Sequence, residues 1–242
     1  MILCVDIGNT SITYAIWNKG KFQSINRIST GKHELLLTET DKLSNIAISS
    51  VVPDLTNYYN EYFNKIFNIK PFIVTHKNCN INLDVDSPSE VGPDRICNAF
   101  GVKKKYESPA LIIDFGSATT YDIINDKGSF IGGAISPGID VSANYLIKKA
   151  ALLNEAVFKF PKNVIGKNTN TNLQSGIMDG GLDSVQGMIK RIMDEMNNQE
   201  LKIVLTGGFS QLISKRLDIQ HQLDETITLY GLKQIFDSNQ NG

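Results

Sequence analysis

The sequence repeats itself at a constant offset of 108 residues, and this repeat restricts the fold more than any other feature. Residues 3–22 read LCVDIGNTSITYAIWNKGKF, and residues 111–130 read LIIDFGSATTYDIINDKGSF, so that the two align without a gap. The shared positions include Asp6 and Asp114, Gly8 and Gly116, Ile16 and Ile124, Lys19 and Lys127, Gly20 and Gly128, and Phe22 and Phe130. We therefore predict two related halves that meet near residues 106–110, as domains 1–108 and 109–242.

The order of predicted elements favours an α/β fold. Strands are predicted over 2–6, 11–17 and 21–28, followed by a polar helix around 32–44. The runs NIAISSVV and PFIVT predict two more strands, and the helix between them is predicted to have Asp54 as its N-cap. In the second half, GGAISPGI and LKIVLTGG predict further strands that end in glycine-containing turns. Strands that alternate with helices are typical of α/β proteins.

Composition and charge exclude several classes of protein. Lys+Arg 24 against Asp+Glu 25 gives a net charge of −1, which is no electrostatic footprint for nucleic acid or an anionic membrane. No apolar stretch approaches the roughly 20 residues that span a bilayer, and the N-terminus lacks the basic region of a signal peptide. The three cysteines are far apart, without the spacing of a zinc site or a disulfide framework. A cytoplasmic globular protein is expected.

The first repeat places a carboxylate, Asp6, between a buried strand and a turn that contains Gly8. A tight glycine turn presents backbone N–H groups that can bind an anion, and the side chains of Asn9, Thr10 and Ser11 add donors. Since Asp6 repels phosphate, a hard cation between the carboxylate and the phosphates explains its presence. The alternative is that Asp6 is only a turn former, since Asp often bonds its own backbone. The second copy of the motif favours a nucleotide phosphate site with a metal ion.

A repeated Asp-x-Gly-x-(Thr/Ser) hairpin, followed by a late strand ending in Gly-Gly, resembles the actin/Hsp70/sugar-kinase superfamily. Between residues 6 and 208 the segments DIGNT, SSVVP, EVGPDRICNA, DFGSATT, GGAISPGI, IGKNT, QSGI and TGG occur in the order found in type III pantothenate kinases. This resemblance implies two duplicated ribonuclease H-like (actin-like ATPase) domains with a central cleft. It also implies ATP-dependent phosphorylation of pantothenate to 4′-phosphopantothenate, the first step of coenzyme A biosynthesis.

The resemblance also implies which residues bind ATP and its cations. Asp6 would hold Mg²⁺ through the ATP phosphates, and Asp114 would bind a monovalent cation, K⁺ or NH₄⁺. Gly207 and Gly208 would lie near adenosine. The residues implied to contact ATP are Asp6, Ile7, Gly8, Asn9, Thr10, Ser11, Ile12, Thr13 and Ser117.

The acceptor segment SEVGPDRICNAFGVKKKY is predicted to form a helix that opens after Gly92, with Pro93 in its first turn. On its own, Asp94 fits an ordinary helix-start residue in the positive field of the helix N-terminus. The family resemblance instead implies that Asp94 is the general base. It further implies that Gly92, Pro93, Asp94, Arg95 and Thr169 contact pantothenate, and that the protein is a homodimer.

The sequence departs from the family pattern at Val85, and two rival functions stay open. Val85 stands where many relatives have a tyrosine that lines the pantothenate site. This difference is expected to affect the affinity for pantothenate more than the chemical step. A nucleotide-binding regulatory protein of the Bvg accessory factor type is one alternative, although Asp6, Asp94 and Asp114 are all retained. Another small-molecule kinase or a phosphatase of the superfamily is the other.

Overall fold

The structure is a computed structural model of the 242-residue chain and describes residues 1–31, 43–150, 153 and 157–240. These residues form two five-stranded sheets with flanking helices, which confirms the α/β class. The predicted helix around 32–44 lies almost wholly outside the described residues.

The first sheet begins with the predicted hairpin and has the strand order β3-β2-β1-β4-β5. β1 pairs with β2 in antiparallel fashion and with β4 in parallel fashion. The predictions for the first three strands agree with the structure to within one residue at each end. The five strands are β1 Ile2–Ile7, β2 Ser11–Asn18, β3 Lys21–Ser29, β4 Asn45–Ser50 and β5 Phe72–Ile73.

The second sheet has the order β10-β9-β6-β7-β8. Read from the other edge, this is β8-β7-β6-β9-β10, which is the order of the first sheet with β1–β5 replaced by β6–β10. β6 and β9 are parallel, as β1 and β4 are. The sheet topology therefore follows the repeat that the sequence shows. Its strands are β6 Ala110–Phe115, β7 Ala118–Ile124, β8 Phe130–Pro137, β9 Lys202–Gly207 and β10 Gln222–Leu223.

Seven α-helices lie in the described residues, with a 3₁₀ turn at Pro88–Glu90 and a π-helical turn at Ser175–Asp179. None of these helices is both long enough and apolar enough to cross a membrane. The helices are α1 Pro53–Phe67, α2 Pro93–Lys105, α3 Ile139–Lys149, α4 Thr169–Gln174, α5 Gly180–Glu195, α6 Ser210–Ser214 and α7 Ile227–Gln240.

One predicted helix boundary is wrong. α1 has Val52 as its N-cap and begins at Pro53, so that Asp54 lies in the first turn and does not cap the helix. Proline is well suited to the first helical position because its missing N–H is not needed there.

The core of the first sheet is built from the alternation of β1. Leu3, Val5 and Ile7 face α1, which contributes Leu55, Tyr59 and Phe63 from one side at a spacing of four residues. Cys4, between these positions, is also fully buried. β1 is thus buried on both of its faces, which explains why its end can hold Asp6 in a partly desolvated place.

The chain forms two compact units that are not contiguous in sequence. Unit 1 comprises Met1–Ser108, Asp122–Gly132 and Thr226–Gly242, and unit 2 comprises Pro109–Tyr121 and Gly133–Glu225. Unit 1 thus includes part of the second hairpin and the C-terminal helix, whereas the division into domains 1–108 and 109–242 stays a prediction.

The C-terminal helix α7 belongs to unit 1 because it packs closely on α2. A Cβ atom on Gly231 would overlap the carbonyl oxygen of Cys97, and one on Gly101 would lie 2.7 Å from the carbonyl oxygen of Ile227. Two facing glycines therefore allow the two backbones to approach each other. Thr228 Oγ1 adds a hydrogen bond of 2.7 Å to Asn98 Oδ1 on α2.

Candidate active site

Asp6 lies at the carboxyl end of β1, where β4 runs beside it in parallel. In this register Asp6 is opposite Ser49 of β4 and Thr13 of β2. Ser49 is fully buried, and its hydroxyl donates a hydrogen bond of 2.8 Å to Asp6 Oδ1. The half-buried carboxylate is therefore held in one orientation. The role of Asp6 in holding Mg²⁺ stays a prediction, and Ser49 was missed because its contact depends on strand pairing.

The turn after β1 is closed by its own backbone. The Gly8 N–H donates to the carbonyl oxygen of Ser11 over 3.0 Å, and the Thr30 hydroxyl donates to the carbonyl oxygen of Gly8 over 2.8 Å. The N–H of Gly8 is thus engaged within the turn. Asn9 and Thr10 are exposed at its tip, which leaves their side chains accessible to a ligand.

Two residues that the resemblance assigns to ATP, Ile7 and Ile12, are fully buried in the core of the first sheet. Their side chains pack with the core cluster and are not accessible to a nucleotide. A contact between these residues and ATP would have to involve their backbone atoms.

Asp94 lies in the first turn of α2, and the predicted start of this helix is confirmed. Gly92 is the N-cap and Pro93 the first helical residue. The Asp94 carboxylate folds back over Gly92, since a Cβ atom there would lie 2.5 Å from Asp94 Oδ1. Gly92 leaves that space open, and a larger residue there would require the carboxylate to move.

The pKa of Asp94 is raised by burial, which disfavours the charged carboxylate. The Arg95 N–H, which donates to Asp94 Oδ1 over 2.8 Å, opposes this effect on the pKa, as does the charge of Arg95. A carboxyl group with a raised pKa accepts a proton more readily than an ordinary aspartate does.

The Cys97 thiol lies within the electrostatic influence of both Asp6 and Asp94. It is fully buried, and burial is the largest cause that raises its pKa. The negative charges of Asp6 and Asp94 raise the pKa of Cys97 further, whereas a hydrogen bond with Ser49 lowers it. The charges of both carboxylates therefore act on one thiol in unit 1. The sequence signal was the spacing of three residues between Asp94 and Cys97, which places both on one face of α2.

Arg95 points to the second hairpin rather than to solvent. Its Nε donates to Asp122 Oδ1 over 2.7 Å, and a terminal nitrogen lies 2.6 Å from the same oxygen. Its guanidinium carbon lies 5.4 Å from the centre of the Phe130 ring. Asp122 and Phe130 were not predicted as site residues, because only the folded chain brings them to α2.

Val85 lies beside β8 in unit 1. Its Cγ1 would be 3.8 Å from a Cβ atom on Gly132, which has a left-handed backbone with φ of 107°.

Asp114 ends β6 in unit 2, as Asp6 ends β1 in unit 1. In the parallel pairing of β6 with β9, Asp114 is opposite Thr206 and Phe115 is opposite Gly207. Gly207 has φ of 87°, and a Cβ atom on it would overlap the Asp114 carboxylate. The Gly-Gly turn therefore packs against this carboxylate, while its predicted contact with adenosine stays a prediction.

A second glycine packs against the turn of the second hairpin. The N–H of Gly138, the N-cap of α3, donates to the carbonyl oxygen of Ser117 over 3.0 Å. A Cβ atom on Gly138 would lie 2.7 Å from that same oxygen. The position of Ser117 is thus set by the start of α3, a relation that the sequence analysis missed.

Thr169, the remaining predicted contact with the acceptor, lines a cavity of about 700 Å³ within unit 2. Thr119, Tyr121 and Ser136 add hydroxyl groups to its wall, and the described residues that line it carry no charged side chain. Burial raises the pKa of Tyr121, an effect that its hydrogen bond with Ser136 partly offsets. The cavity suits an uncharged ligand portion with hydrogen-bonding groups.

Within the described part of the chain, no group of three or more His, Cys, Asp or Glu side chains is placed to bind a metal ion. A single oriented carboxylate such as Asp6 fits Mg²⁺, which usually takes one or two carboxylates together with substrate phosphates.

Comparison with known families and structures supports a kinase. A model of the type III pantothenate kinase family matches residues 2–191. A Campylobacter jejuni protein assigned to the Baf family of transcriptional activators is 19% identical, with 99% of this chain and 100% of that chain covered and a TM-score of 0.65.

Two further solved structures are similar in fold. The activator of 2-hydroxyisocaproyl-CoA dehydratase from Clostridium difficile, with bound ADPNP, is 12% identical, with 100% and 97% of the two chains covered and a TM-score of 0.54. The inorganic polyphosphate/ATP-glucomannokinase from Arthrobacter sp. strain KM is 14% identical, with 98% of each chain covered and a TM-score of 0.50. At these identities the structures show the fold, which is that of actin-like ATPases and sugar kinases.

Proposed function

We propose, because this chain belongs to the type III pantothenate kinase family, that it transfers the γ-phosphoryl group of ATP to the primary hydroxyl of pantothenate. The product would be 4′-phosphopantothenate, and the reaction would be the first step of coenzyme A biosynthesis. The observation that carries this proposal is the family match over residues 2–191, within which Asp94 Oδ1 accepts a hydrogen bond of 2.8 Å from the Arg95 N–H and Asp6 Oδ1 accepts one of 2.8 Å from the Ser49 hydroxyl.

Asp94 is the general base in this proposal. Phosphoryl transfer depends mainly on positioning and charge neutralisation, and the base orients the attacking hydroxyl and accepts its proton. Gly92 and the Arg95 N–H hold the Asp94 carboxylate in place, so it meets the acceptor in a fixed orientation. Arg95 supplies N–H donors to the polar atoms of the acceptor.

The phosphates of ATP are assigned to the two hairpin turns. Asn9, Thr10, Ser11 and Ser117 offer hydroxyl or amide donors, and the Ser49-oriented Asp6 would hold Mg²⁺. When bound, Mg²⁺ neutralises phosphate charge. Asp114, which lies against Gly207, is the proposed ligand of K⁺ or NH₄⁺.

Thr169, which lines an uncharged cavity within unit 2, is the proposed contact for the amide group of pantothenate. Burying a carboxylate without a partner costs several kcal/mol, so the pantothenate carboxylate would lie outside this cavity. Val85, which replaces an aromatic wall in many relatives, is expected to weaken acceptor binding more than the chemical step.

The two sheets with one strand order support descent from a duplicated unit, with residues 1–108 and 109–242 as the original halves. The central cleft that the family fold implies stays a prediction. A regulatory function is the second candidate, because the Campylobacter jejuni protein is assigned to a family of transcriptional activators.

The test of the proposed function is an assay of ADP release by the purified protein with ATP, Mg²⁺ and K⁺. ADP release should depend on pantothenate and should not respond to glucose or N-acetylmannosamine. Release with a sugar but not with pantothenate would reject the proposed acceptor. Nucleotide binding without turnover of any acceptor would favour the regulatory function.

We also propose a homodimer. α3 buries one residue, Ala143, although it carries several large apolar side chains. Of the large apolar side chains that the described residues expose, seven lie between residues 135 and 165, within unit 2. They are Ile135, Val141, Tyr145, Leu146, Val157, Val164 and Ile165. A contiguous patch of exposed apolar side chains marks an interaction surface, and we propose that these side chains form such a patch.

Light scattering coupled to size exclusion should therefore give the mass of a dimer at assay concentrations. Tyr145→Glu, which puts a charge on the exposed side of α3, should shift the protein towards the monomer. Glu61→Gln on α1 is the control and should leave the mass unchanged. A monomer mass for the unaltered chain would contradict the dimer.

A further inference from the structure

The Asp122 carboxylate is fully buried, whereas the Arg95 side chain that it pairs with retains 15% of its exposure. Nε and one terminal nitrogen of Arg95 both contact Asp122 Oδ1. The Phe130 ring lies over the guanidinium. A carboxylate at one edge and a ring at one face together fix the plane of the guanidinium group.

The fold does not require a carboxylate at position 122. By the offset of the repeat, 122 − 108 = 14, the matching residue of the first hairpin is Tyr14. Tyr14 is 1% exposed and belongs to the apolar core of the first sheet. The first hairpin therefore forms with a buried aromatic side chain at the position that Asp122 occupies in the second.

Stability does not explain the pair either. Removing a carboxylate and a guanidinium from water costs several kcal/mol for each ion, and buried ion pairs are often replaceable by apolar residues without loss of stability. We therefore expect the Arg95–Asp122 pair to fix the orientation of a functional group.

The group that the pair orients belongs to the acceptor segment. The side chain of Arg95 is held by Asp122, while its backbone N–H donates to Asp94 Oδ1. Asp122 on β7 is thereby connected through one residue to the carboxylate proposed as the base.

We propose that Asp122 is a positioning residue that holds Arg95 for binding of the acceptor. This inference rests on the proposed function, in which Arg95 contacts pantothenate. The ion pair engages Nε and one terminal nitrogen, so the other terminal nitrogen is the donor that we assign to the acceptor.

Asp122→Asn keeps the size of the side chain and removes the charge that holds Arg95. We expect the KM for pantothenate to rise by about 10²-fold, since misplacing a positioning group by roughly 1 Å can have an effect of that size. The KM for ATP should stay within about twofold, and kcat should fall less than the KM for pantothenate rises.

Thr228→Val is the matched control, because it removes another polar contact of α2, the bond from Thr228 Oγ1 to Asn98 Oδ1. It should lower the melting temperature without raising the KM for pantothenate. If Thr228→Val raises this KM as much as Asp122→Asn does, general destabilisation explains both and the inference is rejected.

A double variant tests whether Asp122 acts through Arg95. Arg95→Ala combined with Asp122→Asn should bind pantothenate no more weakly than Arg95→Ala alone, because residues that act as a unit are not additive. Additive losses in the double variant would overturn the inference.

The Nε–H resonance of Arg95 in a ¹⁵N NMR spectrum separates this inference from the proposed function. The resonance is assigned by its loss in Arg95→Lys. The Nε proton should exchange slowly with water in the unaltered protein, and the resonance should broaden in Asp122→Asn. A protein that does not phosphorylate pantothenate but shows this change would reject the function and retain the positioning of Arg95. An unchanged resonance in Asp122→Asn would reject the positioning.

Discussion

Asp94→Asn should lower kcat by about 10²- to 10⁴-fold, the contribution that positioned acid–base groups typically make. The KM for ATP should change little, because the base interacts with the acceptor hydroxyl and matters most in the transition state. The amide oxygen of asparagine can still accept the hydrogen bond from the Arg95 N–H. The fold should therefore be kept, and circular dichroism and thermal unfolding would show this.

The direction in which this substitution changes stability follows from the pKa shift of Asp94. Because the pKa of Asp94 is raised in the folded protein, its contribution to stability is present below the unfolded pKa and is lost as pH rises through the folded pKa. At neutral pH the ionised carboxylate thus opposes folding, and the neutral amide should leave stability unchanged or increase it. Turnover requires the ionised base, so kcat/KM should decline on the acid side at a pH above the range of an ordinary aspartate.

Asp54→Asn provides a control of the same local geometry. α1 begins with Pro53 and Asp54 as α2 begins with Pro93 and Asp94, but Asp54 is exposed. This control should change neither kcat nor the pH profile. A folded Asp94→Asn protein with near-normal kcat would show that Asp94 is an ordinary helix-start residue.

Asp114→Asn should lower kcat/KM by at least about 10²-fold, the cost of removing one preorganised electrostatic group from an active site. Replacement of K⁺ by tetramethylammonium should lower the activity of the unaltered protein in the same way. The reason is that a carboxylate packed against the end of β9 is expected to attract a small cation. Activity titrated against K⁺ in both proteins is the measurement.

Asp126→Asn is the control for this effect, since Asp126 is an exposed carboxylate in the second turn of the same repeat. It should retain the K⁺ dependence of the unaltered chain. Full activity of Asp114→Asn without added K⁺ would reject the proposed ion site.

The sequence predicted those features that depend on local pattern. The repeat predicted two hairpins, and the structure shows the same strand order in both sheets. Gly92 and Pro93 predicted the start of α2, because N-cap and first-turn preferences act within a few residues. The same reasoning failed at Asp54, since Pro53 takes the first helical position and Val52 the N-cap.

Features that depend on contacts between distant segments were not predicted. The bond from Ser49 to Asp6 requires the register of β1 and β4, and the pair of Arg95 with Asp122 requires α2 to lie beside β7. α7 belongs to unit 1 because Gly231 lets its backbone approach Cys97, a contact across more than half of the chain. Composition and periodicity contain no information on such pairings.

Transfer of label from ATP marked at the γ-phosphorus tests the proposed phosphorylation of pantothenate at the level of the product. In the presence of Mg²⁺ and K⁺, the unaltered protein should place the label on 4′-phosphopantothenate, and Asp94→Asn should place almost none there in the same time. Label that appears only in inorganic phosphate, or on a sugar and not on pantothenate, would contradict the proposed function.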